Sequence, residues 1–368
     1  MVFSQILTRS KYNEIAEQLS KAEISKIPSI LIKDKITFED FLCLIANGSE
    51  KYLEKMAQRS RELTRKRFGS NISLYAPLYV SNECVNTCTY CGFSRPNKIA
   101  RRTLTNSEIE AEAKALSKKG IRNVLLLTGE SPKKNPVSYL LEAVRIIKPY
   151  FYSVHIEIYP VGIDEYQEFF NAGVEGVTLY QETYDPKIYD KIHTSGFKKD
   201  FDYRIDTLER ASQSGIRRLT LGALLGLASW RLEMACLAFH LLHLEKTAWR
   251  SALSLSFPRI KEAAFYTKPE NIITDKEFVL ILSAFRILSP NSGINISTRE
   301  SAAFRDQLIP LGITSMSAGS RTDIGGYSGD ANSTEQFSLD DLREPHEVAS
   351  SITAKGYQPV FKEWDNCL

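Results

Sequence analysis

The chain has 368 residues, of which 43% are apolar and 25% charged, a balance that is typical of globular proteins and excludes disordered and collagen-like chains. Its net charge of +3 is too small to indicate a nucleic-acid partner. The longest uncharged run, Phe68–Asn82, is too short and too polar to span a membrane, and the N-terminus lacks a signal-peptide pattern, so we expect a cytoplasmic protein without membrane attachment.

The first seventy residues are predicted to be helical, because apolar residues recur there at three- and four-residue spacing. Gly48 and Gly69 are the expected stop signals. The sequence therefore predicts an N-terminal helical extension over residues 1–70. Its periodic stretches are 11–20, 37–46 and 50–67.

From residue 71 onward, short β-branched or aliphatic runs alternate with longer amphipathic stretches. Parallel strands need a crossover connection, so this alternation predicts a parallel sheet, and eight units favour a closed (β/α)8 TIM-type barrel over residues 71–322. A doubly wound open sheet is the alternative, since periodicity does not show closure. The predicted strands lie near Ile72–Val80, Val124–Thr128, Val154–Tyr159, Gly176–Tyr180, Leu219–Leu224, Ala252–Phe257, Ile294–Ser297 and Ile313–Ser317. The predicted helices lie near 106–119, 137–149, 164–172, 201–214, 230–246, 275–288 and 299–309.

The last part of the chain, residues 323–368, is predicted to be a closing segment made of a loop and a helix. The stretch Asp323–Asn332 is rich in Gly, Ser and Asp and is typical of a loop. A helix is expected near Leu339–Lys355, with Gly356 as its cap.

Three of the six cysteines, Cys84, Cys88 and Cys91, lie within eight residues. Thiols clustered this tightly bind metal more often than they form disulfides. Three ligands without a fourth nearby suit a [4Fe–4S] cluster with one open iron, whereas a structural zinc site would require four. The alternative is an interaction protein in which the cysteines staple a loop, with or without zinc. Because the run directly follows the first predicted strand, we expect it at the C-terminal mouth of the barrel, where active sites lie.

This cysteine spacing, with an aromatic residue just before the third cysteine, resembles that of the radical S-adenosylmethionine (SAM) superfamily. Across about residues 10–365, the chain further resembles the 2-iminoacetate synthase family. The segments that carry this resemblance include Leu78–Asn82, Cys91–Ser94, Leu127–Glu130, Tyr180–Tyr184, Leu221–Leu227, Ser256–Arg259, Leu282–Arg286, Ser297–Ser301, Gly325–Tyr327 and Gln358–Asp365.

The resemblance implies two cofactors, a [4Fe–4S] cluster on the three cysteines and SAM on its open iron. Further residues are implied to contact SAM. The three carboxylates among them, Glu130, Glu157 and Glu182, are also compatible with ordinary strand-end positions. Arg204 has the alternative of pairing with Asp202 and Asp206. The implied SAM contacts are Tyr90 at the adenine, Thr128, Gly129 and Glu130 at the amino group, Glu157 at the ribose, and Glu182 and Arg204 at the methionine part.

The reaction implied by the resemblance is cleavage of the Cα–Cβ bond of L-tyrosine to 2-iminoacetate and p-cresol, with SAM converted to 5′-deoxyadenosine and methionine. Arg299 is the candidate for binding the tyrosine carboxylate, with Ser297 beside it. The implied partners are a one-electron donor such as flavodoxin or ferredoxin and a thiazole synthase of thiamin biosynthesis. A tryptophan lyase and a hydrogenase-maturation tyrosine lyase are the related alternatives. The second is less favoured because three clustered C-terminal cysteines are absent.

Overall fold

The computed structural model describes residues 2–261, 269, 271–329 and 334–361. The N-terminal part is helical, as predicted, and it packs against helices of the barrel. Thr37 and Asp40 form a reciprocal capping box at the start of the fourth helix, and Gly69 ends the fifth with a φ of 65°. The helices are α1 (Phe3–Ile6), α2 (Arg9–Ser20), α3 (Ile27–Ile30), α4 (Phe38–Ile45) and α5 (Leu53–Phe68).

Eight parallel strands follow one another around a closed barrel, because the eighth strand pairs with the first and the first also pairs with the second. The predicted (β/α)8 barrel is thereby confirmed, and the open doubly wound sheet is excluded. The strands are β1 (Asn71–Ser81), β2 (Asn123–Thr128), β3 (Ser153–Glu157), β4 (Gly176–Glu182), β5 (Arg218–Ala223), β6 (Ala252–Ser256), β7 (Gly293–Ile296) and β8 (Ser315–Ser317).

Helices connect the strands and surround the barrel. No helix in the described part of the chain is both long and apolar enough to cross a membrane. The helices are α6 (Asn106–Lys118), α7 (Val137–Ile147), α8 (Ile163–Asn171), α9 (Pro186–Ile192), α10 (Phe201–Ile205), α11 (Thr207–Gln213), α12 (Trp230–Thr247), α13 (Asp275–Leu288), α14 (Ala302–Leu308) and α15 (Pro345–Ala354). Single 3-10 turns lie at Ile24–Lys26, Ser49–Tyr52, Lys148–Tyr150, Phe197–Lys199 and Ile309–Leu311.

Three of the predicted helices differ from those observed, and specific contacts explain each difference. The helix predicted over 201–214 is divided at Asp206, whose carboxylate accepts hydrogen bonds from the Ser4 main-chain N–H and hydroxyl. Helix α14 begins at Ala302 rather than at 299, because the Ser301 hydroxyl caps it. Helix α15 begins at Pro345 rather than at 339, since the main-chain N–H groups of Asp340 and Asp341 both donate to the Thr298 carbonyl.

A ninth strand, β9 (Gln358–Val360), was not predicted and pairs in parallel with the first three residues of β1. The predicted loop at Asp323–Asn332 lies among the described residues only as far as 329, and it contains no helix or strand there. The end of the closing segment, residues 362–368, lies outside the described residues. The division of the chain at residues 70 and 322 stays a prediction.

The barrel wall is closely packed where β4, β5 and β6 lie side by side. Tyr180 of β4 reaches past Gly222 of β5 and donates a hydrogen bond to Ser256 Oγ of β6 at 3.0 Å. A Cβ atom at Gly222 would lie 2.8 Å from the Tyr180 ring and 2.2 Å from the Ser256 carbonyl oxygen, so this glycine is required by packing. Tyr180 also lines the cavity described next.

Candidate active site

All twelve residues singled out in the sequence line one cavity at the C-terminal ends of the strands. Its volume is about 1330 Å³, counting space that is open to solvent. This is enough for a nucleoside and an amino acid together. The residues brought together are Cys84, Cys88, Tyr90, Cys91, Thr128, Gly129, Glu130, Glu157, Glu182, Arg204, Ser297 and Arg299.

The cysteine loop begins directly after β1, next to a bulge between Tyr79 and Ser81. Its main chain is held on both sides by neighbouring loops: Val85 N–H donates to Glu130 O at 3.0 Å, and Thr87 N–H donates to Ser195 O at 3.1 Å. All three cysteines are free thiols, and Cys88 is only 5% exposed. The loop is therefore a fixed structure that presents its thiols to the cavity.

The donor set fits an iron–sulfur cluster better than a single metal ion. Within the described ranges, no group of three or more His, Cys, Asp or Glu side chains comes close enough to hold one ion. A four-iron cluster is larger than one ion, so its thiolates need not converge on one point. The neighbouring His193 is engaged elsewhere, with its Nε2 atom 2.8 Å from the Tyr90 hydroxyl. Burial raises the pKa of the Cys84 thiol to about 11 and raises the pKa of Cys88 and Cys91 as well, so metal ligation would be needed to deprotonate them.

Four buried or nearly buried charges form a network beside the cysteines. Arg204 donates from Nη1 to Glu130 Oε1 at 3.0 Å and from Nε to the Tyr180 carbonyl at 2.9 Å. Lys198 Nζ donates to Glu182 Oε1 at 2.6 Å, and the same oxygen lies 3.6 Å from Arg204 Nη2. Burial alone would raise the pKa of Glu130, but Arg204 and Lys198 hold it below its usual value. Arg204 therefore pairs with the cavity carboxylates, not with its helix neighbours.

The end of β4 carries backbone strain. Glu182 has a φ of 70° and is the only residue other than glycine with a positive φ in the described part of the chain. It also follows a bulge between Tyr180 and Glu182. Such strain persists where the surrounding contacts fix a side chain in position, and it is concentrated at functional sites.

The end of β2 approaches the cysteine loop very closely. A Cβ atom at Gly129 would lie 2.4 Å from the Glu83 carbonyl oxygen, so only glycine fits. Gly129 N–H donates to Ser81 O at 2.8 Å, and the Thr128 hydroxyl donates to Gly129 O at 3.0 Å. This contact brings Glu130 next to the thiols, where Asn86 Nδ2 donates to its Oε2 at 2.7 Å.

Glu157 and Arg299 face the cavity without a mutual salt bridge. Burial and the nearby Glu182 raise the pKa of Glu157 to about 7, although Arg299 opposes the rise. Within the described residues, no hydrogen-bond donor reaches the Glu157 carboxylate, and no acid pairs with the Arg299 guanidinium. The guanidinium carbon lies 3.3 Å from the centre of the Phe337 ring. Ser297 Oγ accepts a hydrogen bond from Arg299 N–H at 3.4 Å.

Among the cavity residues that the sequence analysis did not name, four contact the predicted site residues described above. Asn86 lies inside the cysteine run, where its position was a usable signal. Lys198, Gln336 and Phe337 come from segments without a motif, and nothing in the sequence marks them. Lys198 also lies over Tyr90, with Nζ 5.7 Å from the ring centre.

Comparisons with known proteins give a consistent result. Residues 78–231 match the Radical SAM superfamily, and residues 256–358 match the Biotin and Thiamin Synthesis associated domain. The chain is 40% identical over 359 residues to 2-iminoacetate synthase of Salmonella typhimurium, covering 97% of this chain and 95% of that protein. It is 39% identical over 367 residues to the Escherichia coli 2-iminoacetate synthase, covering 100% of this chain and 97% of that protein. The crystal structure of HydG, a maturase of the [FeFe]-hydrogenase, superimposes with a TM-score of 0.92 at 30% identity and covers 97% of this chain and 80% of that chain.

Proposed function

This chain belongs to the 2-iminoacetate synthase family of the radical SAM superfamily, and on that premise we propose that it cleaves the Cα–Cβ bond of L-tyrosine to 2-iminoacetate and p-cresol. SAM is converted to 5′-deoxyadenosine and methionine in the same reaction. The observation that carries the proposal is the convergence, in one cavity, of three thiols, a network of buried charges and an arginine with no acidic partner among the described residues.

The [4Fe–4S] cluster and SAM, when bound, supply the one-electron chemistry that starts the cleavage, because no protein side chain offers it. Cys84, Cys88 and Cys91 hold the cluster. Their thiolates are the soft ligands that iron–sulfur clusters require. Thiols of this kind stay reduced in the cytoplasm, which is the compartment we propose.

The charged network binds the amino-acid part of SAM. Thr128, Gly129 and Glu130 supply acceptors for the amino group of SAM, while Glu182 and Arg204 hold its methionine part. Besides Arg204, Lys198 offers a second cation to the carboxylate of SAM, since its Nζ lies beside Glu182.

The nucleoside part of SAM is bound by Tyr90 and Glu157. Tyr90 borders the adenine, and its hydroxyl is fixed by His193. Glu157 accepts hydrogen bonds from the ribose hydroxyls. Its carboxylate is suited to this role because no described residue donates to it.

Arg299 binds the carboxylate of tyrosine, with Ser297 beside it. A guanidinium meets a carboxylate through two parallel hydrogen bonds, and stacking on Phe337 fixes the plane in which it does so. This anchoring orients the tyrosine amino group toward SAM. The imine product hydrolyses in water, so the enclosed barrel mouth protects it.

Two protein partners follow from the proposed reaction. A one-electron donor such as flavodoxin or ferredoxin reduces the cluster. A thiazole synthase takes up 2-iminoacetate for thiamin synthesis, because the imine is too short-lived to be stored.

The deciding experiment is anaerobic incubation of the purified protein with SAM, a reductant and either tyrosine or tryptophan, with products identified by mass spectrometry. We expect p-cresol and 5′-deoxyadenosine from tyrosine. Cleavage of tryptophan without p-cresol formation from tyrosine would make the chain a tryptophan lyase instead.

Two cysteine variants test the cluster in the same experiment. Cys88→Ser is expected to lose the brown chromophore, the bound iron and the activity, because a hydroxyl is a poor ligand for a soft metal site. Cys236→Ala, on α12 and fully buried away from the cavity, should keep all three. A colourless wild-type protein that contains zinc would overturn the proposal.

A further inference from the structure

We propose that Gln336 sets the reduction potential of the cluster by donating a hydrogen bond to the sulfur of Cys91. This inference rests on the proposed function, since it needs the cluster on these cysteines. Gln336 Nε2 lies 3.7 Å from Cys91 Sγ, within hydrogen-bonding distance for sulfur. Within the described residues, no other side-chain donor reaches any of the three sulfurs.

Two partners together select which end of the Gln336 amide faces the sulfur. The Tyr79 hydroxyl donates to Gln336 Oε1 at 2.7 Å, and a thiolate sulfur can only accept, so the favourable orientation turns the NH2 group toward Cys91. Tyr79 belongs to β1, whereas Gln336 belongs to the closing segment. The contact therefore depends on a rigid strand and not on a mobile surface group.

The main chain of Gln336 is held equally firmly. Its carbonyl accepts from Gly92 N–H at 3.2 Å, and its N–H donates to Thr322 O at 3.3 Å. A Cβ atom at Gly92 would lie 2.6 Å from the Gln336 carbonyl oxygen, so glycine beside Cys91 permits this approach. The closing segment is thus joined to the cysteine loop at the residue that follows a cluster ligand.

A hydrogen bond to a cluster thiolate stabilises the reduced state more than the oxidised one, because reduction adds negative charge to the sulfurs. Gln336 therefore raises the reduction potential and makes the cluster easier to reduce. The second donor to this sulfur, the Phe93 main-chain N–H, is not altered by side-chain substitution. Gln336 is accordingly a positioning residue that acts through Cys91.

The test is an anaerobic redox titration of the reconstituted full-length protein, without SAM, followed by electron paramagnetic resonance. In Gln336→Leu, which keeps the size and removes the donor, the potential should become more negative. At the wild-type midpoint, the ratio of reduced to oxidised cluster should fall about two- to tenfold, as for loss of one hydrogen bond. Tyr79→Phe, which frees the amide to turn, should shift the potential in the same direction by less. The matched control Gln358→Leu, at an exposed position in β9, should leave it unchanged.

An unchanged potential in Gln336→Leu with full iron content would overturn the inference and leave the proposed function intact. If Gln336→Leu does not retain the cluster, Tyr79→Phe decides: a more negative potential supports the inference, and an unchanged one overturns it. A wild-type protein that assembles no iron–sulfur cluster would overturn the proposed function itself.

Discussion

Arg299 and Glu157 are two charged cavity residues for which we propose different ligands, tyrosine for Arg299 and SAM for Glu157. Both face the cavity, and among the described residues neither forms a direct salt bridge, in contrast to the paired charges of Glu130, Glu182 and Arg204. We therefore expect the partners of these two groups to be the bound ligands. Two predictions follow at this scale.

Arg299→Lys should lose tyrosine cleavage while SAM binding persists. Lysine keeps the charge but cannot form two parallel hydrogen bonds to a carboxylate or stack on Phe337. Losing a charge-assisted contact in an enclosed site costs about 2–5 kcal/mol, or about 30- to several-thousand-fold in rate. The readout is p-cresol formation, with SAM affinity measured in parallel. Arg61→Lys, on the exposed face of α5, serves as the control, and near-full activity of Arg299→Lys would refute the carboxylate role.

The affinity for SAM should depend on pH through Glu157. The pKa of this carboxyl is about 7, so it is largely charged above that pH and must lose a proton to bind below it. Affinity should therefore weaken as pH falls from about 8 to 6, by at most about tenfold per pH unit below the pKa. Glu157→Gln should remove this dependence, whereas Glu110→Gln, at a partly exposed position outside the cavity, should retain it. Equilibrium binding of SAM across this range is the measurement, and an unaltered pH profile in Glu157→Gln would contradict the ribose role.

At the scale of elements, the local sequence pattern located the barrel strands because each is a short apolar run between helices with their own caps. It missed β9, since three residues that include Pro359 carry no alternation. The division of the predicted helix at Asp206 and the start of α15 depend on contacts from distant parts of the chain. Most of the candidate site was predicted from the resemblance to a known family, and the strand-end position of its carboxylates supported that prediction because strand ends meet in a barrel. Lys198 and Gln336 were not, since Asn86 and Cys91, far away along the chain, contact them.

Helix α12 positions the end of β4 through Glu233, which is 4% exposed. Its carboxylate accepts hydrogen bonds from the Thr183 hydroxyl at 2.9 Å and the Tyr184 N–H at 2.8 Å. Glu233→Ala should lower the free energy of unfolding by about 1–3 kcal/mol for each buried donor left unpaired. It should also weaken SAM binding, because Thr183 directly follows the strained Glu182.

Chemical denaturation and SAM binding together test this prediction. Lys246→Ala, on the exposed side of the same helix, should change neither quantity. If Glu233→Ala is destabilised but binds SAM normally, the anchor is structural and does not position Glu182.

At the scale of the whole molecule, the closing segment is joined to the barrel by a buried ion pair. Arg305 of α14 and Asp341 are both fully buried, and Arg305 also donates to the Ser317 carbonyl of β8. Arg343 Nη2 makes a second contact with Asp341 at 2.8 Å. This junction keeps Gln336 and Phe337 over the cavity.

Asp341→Asn should destabilise the protein by about 3–5 kcal/mol, because it leaves a buried guanidinium without its counter-charge. Asp340→Asn is the matched control: its partner Lys261 and its own side chain are both partly exposed, so we expect a change below about 1 kcal/mol. Arg343 and Arg305 oppose the effect of burial and hold the pKa of Asp341 below its usual value. Its stabilising contribution is therefore complete at neutral pH and is lost as pH falls through that lowered pKa. Equal losses of unfolding free energy in Asp341→Asn and Asp340→Asn would contradict this account.

The contact between the closing segment and the cysteine loop can form only late in synthesis. Gln336 follows Cys91 by 245 residues, so at ribosomal rates it emerges about 10–50 s later. During that interval, the cysteine loop has left the ribosome but lacks its main-chain hydrogen bond from Gly92 to Gln336. We therefore expect the three thiols to be more accessible in the nascent chain than in the finished barrel.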